Sequence, residues 1–211
     1  MPISRFVQTA VAALFATCLG GAAEAAPITF VTSPTALAVP GSTIEDFEGS
    51  FHIAGGSWSS VGPVSVVIGS FPGLFAQPYG DSTHYASVFS HGIAALNLTT
   101  PGSVLGLLWG SVDAYNGIFF FDAAHQLIQA FTGADVFPPA NGNQGVAGTT
   151  YAYFTSTTPF TTVLFASSQN SFEFDNVSVS AVPLPAALPL FGAALAGLGV
   201  MRRRRIRKTA A

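Results

Sequence analysis

Positive charge is missing from almost the whole chain. No Lys or Arg occurs between residues 26 and 201, although the same stretch holds nine carboxylates, so its formal charge is −9 against −3 for all 211 residues. The cationic residues are Arg5, Arg202, Arg203, Arg204, Arg205, Arg207 and Lys208. Because nucleic-acid binding needs cations that neutralise phosphates, this composition argues against a nucleic-acid partner. It also excludes any Lys or Arg salt bridge within the stretch.

Cysteine is nearly absent as well. The single Cys18 lies in an apolar run at residues 7–19 that follows a basic residue and precedes small residues. This is the layout of a secretory signal peptide, and Ala23-Glu24-Ala25 fits its cleavage pattern. We therefore predict that residues 1–25 are removed by a signal peptidase; a retained transmembrane anchor is the alternative. The mature chain would then contain no cysteine, which excludes disulfides and thiol chemistry.

Motifs for catalysis and for nucleotide binding are absent too. The four histidines do not form a His-Glu-x-x-His or other zinc spacing, and neither Gly-x-Ser-x-Gly nor a phosphate-binding glycine loop occurs. No motif supplies a nucleophile together with its base, so we expect no enzyme activity. A Ser-His-Asp arrangement that forms only in the folded protein is the alternative that the sequence leaves open.

Helical periodicity is missing from the body of the chain, residues 26–180. Short runs rich in Phe, Val, Thr and Ser alternate there with Gly, Pro and Asn turn signals. This pattern predicts an all-β fold, an antiparallel β-sandwich that is jelly-roll-like. The predicted strands lie near residues 43–47, 64–68, 85–89, 93–98, 104–109, 118–121, 127–131, 150–154, 162–166 and 172–179. The alternation slips at Asp175 and Asn176, which predicts a β-bulge.

Three features follow one another at the C-terminus. A short motif with two prolines, which favour an extended backbone, comes first. The motif consists of Val182, Pro183, Leu184, Pro185 and Ala186. The apolar run of 18 residues from Leu184 to Met201 would form a transmembrane helix of about 27 Å, close to the ~30 Å hydrocarbon core of a bilayer. The four arginines after it are a basic stop, which the positive-inside rule places in the cytoplasm.

This arrangement resembles the VPLPA variant of the PEP-CTERM bacterial sorting domain over about residues 181–208. It lacks the Glu of the commoner Pro-Glu-Pro form. The resemblance implies that an exosortase, a membrane-embedded cysteine transpeptidase, cuts near the proline motif and passes the protein to a surface attachment. The protein would be exported across the inner membrane, anchored by the C-terminal helix until processed, and then found at the cell surface or outside the cell. An anchor that is never cut is the alternative.

The body resembles ectodomains of other exosortase-sorted surface proteins. The matching stretches are residues 44–49, 109–116 and 172–177. The first and last of them also resemble the first and last strands of many carbohydrate-binding jelly rolls. The resemblance to the ectodomains implies architecture and location only, that of a bacterial surface or extracellular-matrix protein. We predict an extracellular polysaccharide as its ligand. A purely structural matrix protein and, less favoured, a secreted hydrolase are the alternatives.

Aromatic side chains are the candidates for stacking on sugar rings, and their alternative role is packing in the core. The candidates are Trp58, Trp109, Tyr79, Tyr85, Tyr115, Tyr151 and Tyr153. Trp109 and Tyr115 are favoured because they flank Asp113 and Asn116 in a predicted loop. We therefore predict a ligand site formed by these four residues.

Carboxylates near the first and last predicted strands suggest a metal site. In the jelly rolls that this chain resembles, the two strands often lie side by side. This would gather up to five carboxylates, Glu45, Asp46, Glu48, Glu173 and Asp175, of which Asp46, Glu48 and Asp175 are favoured. Hard oxygen ligands without nearby cations favour Ca²⁺, so these residues are the predicted ligands of a structural calcium. The alternative is that each side chain simply points to water.

Overall fold

The computed structural model describes residues 27–49 and 51–181, and they form an all-β fold. The strands are β1 (Ile28–Ser33), β2 (Ser42–Glu45), β3 (Gly56–Val61), β4 (Val64–Val67), β5 (Tyr85–Val88), β6 (Gly92–Gly110), β7 (Asn116–Phe121), β8 (Leu127–Thr132), β9 (Thr150–Ser167) and β10 (Phe172–Ala181). The described helices are the one-turn α1 (Gly133–Val136) and a 3-10 turn at Val146–Gly148. No helix in the described ranges is long and apolar enough to cross a membrane.

The predicted terminal segments lie outside the described residues. These are the signal peptide at residues 1–25, the VPLPA motif, the apolar run after it and the arginine stop. The fold below is that of the body alone.

All strands pair antiparallel in one hydrogen-bonded sheet. The strand order is β4-β5-β10-β6-β9-β7-β8, with β1 beside β9, β2 beside β10 and β3 beside β6. The long pair of β6 and β9 runs through its centre, from Gly92 opposite Ser167 to Trp109 opposite Thr150. One half of this pair is flanked by β3 and β7, and the other half by β10 and β1.

Aromatic rings from the two halves meet in the core. Phe165, in the half flanked by β7, stacks on Phe174 of β10 at a centroid distance of 4.5 Å. Phe120 of β7 contacts Phe154, in the half flanked by β1, at 5.4 Å. Each such pair adds about 0.5–1.5 kcal/mol to the stabilisation from burial. The two halves therefore pack face to face.

The central pair differs from the prediction, which divided each of its strands in two. The break was expected at Pro101-Gly102, but β6 continues through both residues. The reason is a contact between strands: a Cβ on Gly102 would lie 2.7 Å from the ring of Phe160 on β9, so glycine lets this ring pass close to β6. The register of β6 against β9 shifts at the same point.

The predicted bulge in β10 is confirmed. The register of β10 against β6 shifts between Asp175 and Ser178, and Asn176 has a φ of 51°. The extra residue keeps Phe174 and Val177 in the core on either side of it, while Asn176 is exposed. The bulge thus turns one polar side chain of an otherwise buried strand outward.

Candidate functional site

Two concavities on the body carry polar side chains. The first, here the polar pocket, has a volume of about 240 Å³. Its lining residues are Gly73, Leu74, Phe75, Ala76, Ser111, Asp113, Tyr115, Asn141, Gly142, Gln144, Asn170, Ser171 and Glu173. The second, here the tyrosine cleft, has a volume of about 550 Å³. It is lined by Thr32, Ser33, Pro34, Thr35, Ala36, Tyr79, Gly80, Asp81, Leu108, Phe137, Val146, Thr149, Thr150, Tyr151 and Asn176.

Glu173 is the buried acid of the polar pocket. It lies on β10 opposite Ser87 of β5 and Gly110 of β6, and only 2% of it is exposed. Its Oε1 accepts a hydrogen bond from the backbone N–H of Ala76 at 2.9 Å and another from the Ser171 hydroxyl, but its Oε2 is buried without a partner. Burial raises the pKa of Glu173 to about 7.

Asp113 and Tyr115 enter the polar pocket from the loop between β6 and β7. The loop starts at Ser111, whose φ of 43° turns the chain sharply after β6, and Asp113 then pairs through its backbone with Asn141. Burial raises the pKa of Asp113. The Tyr115 hydroxyl donates to the carbonyl of Asn170 at 2.7 Å, which ties this loop to the turn before β10.

The structure corrects the prediction that Trp109 and Asn116 contact a ligand, because both side chains are buried. The indole of Trp109 is 0% exposed and stacks on Phe172 at 4.6 Å, because this part of β6 packs against β10 and the core. The side chain of Asn116 is also buried: it donates to the carbonyl of Ser171 at 3.2 Å and accepts from the Ser167 hydroxyl at 2.8 Å. Both residues pack against the segment at residues 171–173, which lines the polar pocket, and neither presents a surface to a ligand.

The carboxylates predicted to share calcium lie in different environments. Asp46 and Glu48 are exposed, whereas Asp175 is 1% exposed. Glu48 accepts the backbone N–H of His84 at 2.7 Å, and its other oxygen is 3.3 Å from the ring of that histidine. The expected neighbourhood of β2 and β10 is confirmed. Even so, no three His, Cys, Asp or Glu residues of the described ranges are arranged to hold a metal, so this calcium stays a prediction.

One exposed and one half-buried tyrosine line the tyrosine cleft. Tyr79 is 58% exposed and sits in the turn before β5, where its backbone N–H donates to the Thr149 hydroxyl at 3.2 Å. Tyr151 is half-buried on β9, opposite Ser33 of β1. Both tyrosines were among the aromatic candidates in the sequence. The sequence could not show that the two tyrosines line one cleft, because the position of Tyr151 in the cleft depends on the pairing of β1 with β9.

Hydrogen-bonding groups complete the tyrosine cleft. Oδ1 of Asp81 accepts the backbone N–H of Thr83 at 2.9 Å and also its hydroxyl, but Oδ2 is buried without a partner. Asn176 reaches the cleft from the bulge of β10. The lining of the cleft thus combines tyrosine rings with an amide and a carboxyl group.

Comparisons with known proteins give only distant likenesses. No protein family and no curated protein matches the chain. Among solved structures, it is similar to the K2 cleaved adhesin domain of Lys-gingipain, with 14% identity, a TM-score of 0.44, and coverage of 66% of this chain and 99% of that one. It is also similar to the enzymatically active domain of tailspike protein 4 of bacteriophage CBA120, with 16% identity, a TM-score of 0.23, and coverage of 61% and 20%. At these TM-scores neither likeness carries an argument.

Proposed function

We propose that this chain is an exported, exosortase-sorted bacterial surface or extracellular-matrix protein whose body binds a neutral polysaccharide in the tyrosine cleft. The proposal includes a jelly-roll-like β-sandwich as the architecture of the all-β body. Its two ends, the signal-like N-terminus and the VPLPA-like C-terminus, support export and surface display. The ligand class is supported by the cleft.

The open tyrosine cleft is the observation that carries the choice of ligand. Its volume of about 550 Å³ lies in the range typical of ligand sites. Tyr79 offers an exposed ring face for the apolar side of a sugar, and Tyr151 lies in the same lining. Asp81 and Asn176 supply polar groups to the same lining, and the amide of Asn176 can both donate hydrogen bonds to sugar hydroxyls and accept them.

Charge favours a neutral polymer over an anionic one. The body holds carboxylates and no Lys or Arg, so it repels polyanions unless a divalent cation bridges them. Stacking on a few sugar rings gives weak binding at a single site. Display of many copies on a surface turns such binding into strong retention through multivalency.

Affinity electrophoresis of the purified full chain in gels that contain neutral polysaccharides tests this site. We expect Tyr79→Ala and Tyr151→Ala to abolish the retardation of the wild type. Phe71→Ala is the matched control, because Phe71 is 60% exposed and aromatic but does not line the cleft. Retardation that survives in both tyrosine variants would place the site elsewhere, and a wild type that no polymer retards would favour a purely structural matrix protein.

Mass spectrometry of the protein recovered from cells with a matching exosortase tests the sorting half of the proposal. We expect a new C-terminus near residues 182–186, because the prolines hold an extended substrate for the transpeptidase. Surface-exposed protein that still carries the arginines at residues 202–205 would contradict processing and leave a plain anchor.

A further inference from the structure

The polar pocket contains a buried carboxylate without a counter-charge. Glu173 is 2% exposed, and its Oε2 has no hydrogen-bond partner. The body has no Lys or Arg, and none of the residues that line this pocket is a histidine. Because a buried charge is costly unless it is paired or bound to a metal, the described residues require a positive charge from outside themselves or a proton at this site.

A second carboxylate lines the same pocket. Asp113 comes from the loop after β6, whereas Glu173 comes from β10, so two distant parts of the sequence supply the pair. Two ionised carboxylates in one small pocket repel each other, and a divalent cation between them removes this repulsion. Their combined charge equals that of one such cation with opposite sign.

Neutral oxygens are available in the pocket to complete a coordination shell. The Ser111 hydroxyl is buried and has no partner, and the amides of Asn141 and Gln144 also line the pocket. The volume of about 240 Å³ leaves room for several waters at ~30 Å³ each. A shell made only of oxygens suits a hard cation, and Ca²⁺ accepts six to eight oxygens in irregular geometry, whereas Mg²⁺ demands a near-ideal octahedron.

We propose that the polar pocket is a calcium site, with Asp113 and Glu173 as its charged ligands. The ion would connect the loop at residues 73–76, the β6–β7 loop, the loop at residues 141–144 and strand β10, which all meet at this pocket. It is distinct from the calcium predicted at Asp46, Glu48 and Asp175, and it does not depend on the tyrosine cleft.

Thermal melting of the full chain with and without calcium tests this site. After treatment with EDTA and dialysis, we expect added Ca²⁺ at ~100 times its dissociation constant to raise the Tm by roughly 5–10 °C. Asp113→Asn and Glu173→Gln, which keep the shape of each side chain, should abolish this rise. Asp46→Asn is the matched control and should keep it. The same series is measured by calorimetric titration with CaCl2 well below the Tm.

A terbium titration localises the ion without an acidic variant. Tb³⁺ replaces Ca²⁺ and emits when a nearby tyrosine absorbs, and Tyr115 lines the pocket. Tyr115→Phe should lower this emission, whereas Tyr79→Phe should not. A wild type that does not respond to calcium, or a response that persists in both Asp113→Asn and Glu173→Gln, would overturn the proposal. Loss of the response in Asp46→Asn alone would move the ion to the other set of carboxylates.

Discussion

The polar pocket and the tyrosine cleft lie on the same body but differ in size and in the exposure of their side chains. The polar pocket is lined by the buried Glu173 and by Asp113, and its rings, Phe75 and Tyr115, are half-buried. The cleft is more than twice as large and exposes Tyr79 over half of its surface. We propose an ion as the ligand of the first and a polymer as the ligand of the second.

A body without Lys or Arg leaves its buried acids without a cationic side chain as partner. Glu173 and Asp175 are buried in a body whose described residues include no Lys or Arg, so within these residues each is protonated, hydrogen-bonded or bound to a metal. Asp81 lines the cleft, where its Oδ1 accepts hydrogen bonds from the backbone N–H and the hydroxyl of Thr83.

The largest expected effect comes from the support beneath the polar pocket. Trp109→Ala removes a fully buried ring that stacks on Phe172, the neighbour of Glu173 in sequence. We expect the free energy of unfolding to fall by about 3–5 kcal/mol, as is usual for large cavities in cores. Tyr79→Ala, at the exposed edge of the cleft, should change it by only about 0.5 kcal/mol or less. Chemical denaturation of both variants measures the difference, and similar losses would contradict the contrast between buried and exposed rings.

The second largest expected effect is the change in the free energy of unfolding with pH. Burial raises the pKa of Glu173 to about 7 and that of Asp175 to about 8, from ordinary values of 4.5 and 3.8. Between the ordinary and the raised values, the folded protein binds more protons than the unfolded chain, so the free energy of unfolding falls as the pH rises from about 4 to 8.

Melting curves in EDTA from pH 5 to pH 8 test this sign. We expect the Tm to be higher at the acidic end, with a smaller pH dependence in Glu173→Gln and in Asp175→Asn. Calcium added at pH 8 should restore stability through Glu173, because the ion replaces the proton there. A Tm that increases from pH 5 to pH 8 in EDTA would mean that these acids are ionised and satisfied in the fold.

Much of the fold could be predicted from local pattern. Strands β2, β4, β5, β7, β8 and β10 were expected close to where they lie, because β-branched and aromatic residues alternate there between turn signals. Strands β1 and β3 were missed; four of the six residues of β3 are Gly or Ser, which weakens the alternation there. The continuity of β6 and β9 was missed because Pro101-Gly102 is an ordinary turn signal whose contact with Phe160 is a tertiary event.

The candidate sites could be predicted only in part. Asp113 and Tyr115 were predicted as ligand residues from their loop, and both line the polar pocket. That Glu173 lies in the same pocket follows from the packing of β10 beside β6. Trp109 was misassigned because its neighbours in sequence resemble a binding loop, whereas its burial depends on Phe172, 63 positions further along the chain. Exposure of a ring is a tertiary property, and alternation alone does not give it.

The smallest expected effect concerns the exposed acids near β2. Glu48 and His84 form an exposed pair, and such pairs contribute about 0–1 kcal/mol, so Glu48→Gln should change the stability by no more than that. If calcium binds at Asp46, Glu48 and Asp175 as the sequence predicts, this variant should also weaken the calcium-induced rise in Tm. If calcium binds in the polar pocket, the rise should stay unchanged in Glu48→Gln and disappear in Asp113→Asn. Comparing the two variants in one calcium titration therefore separates the two sites, since neither substitution touches the carboxylates of the other.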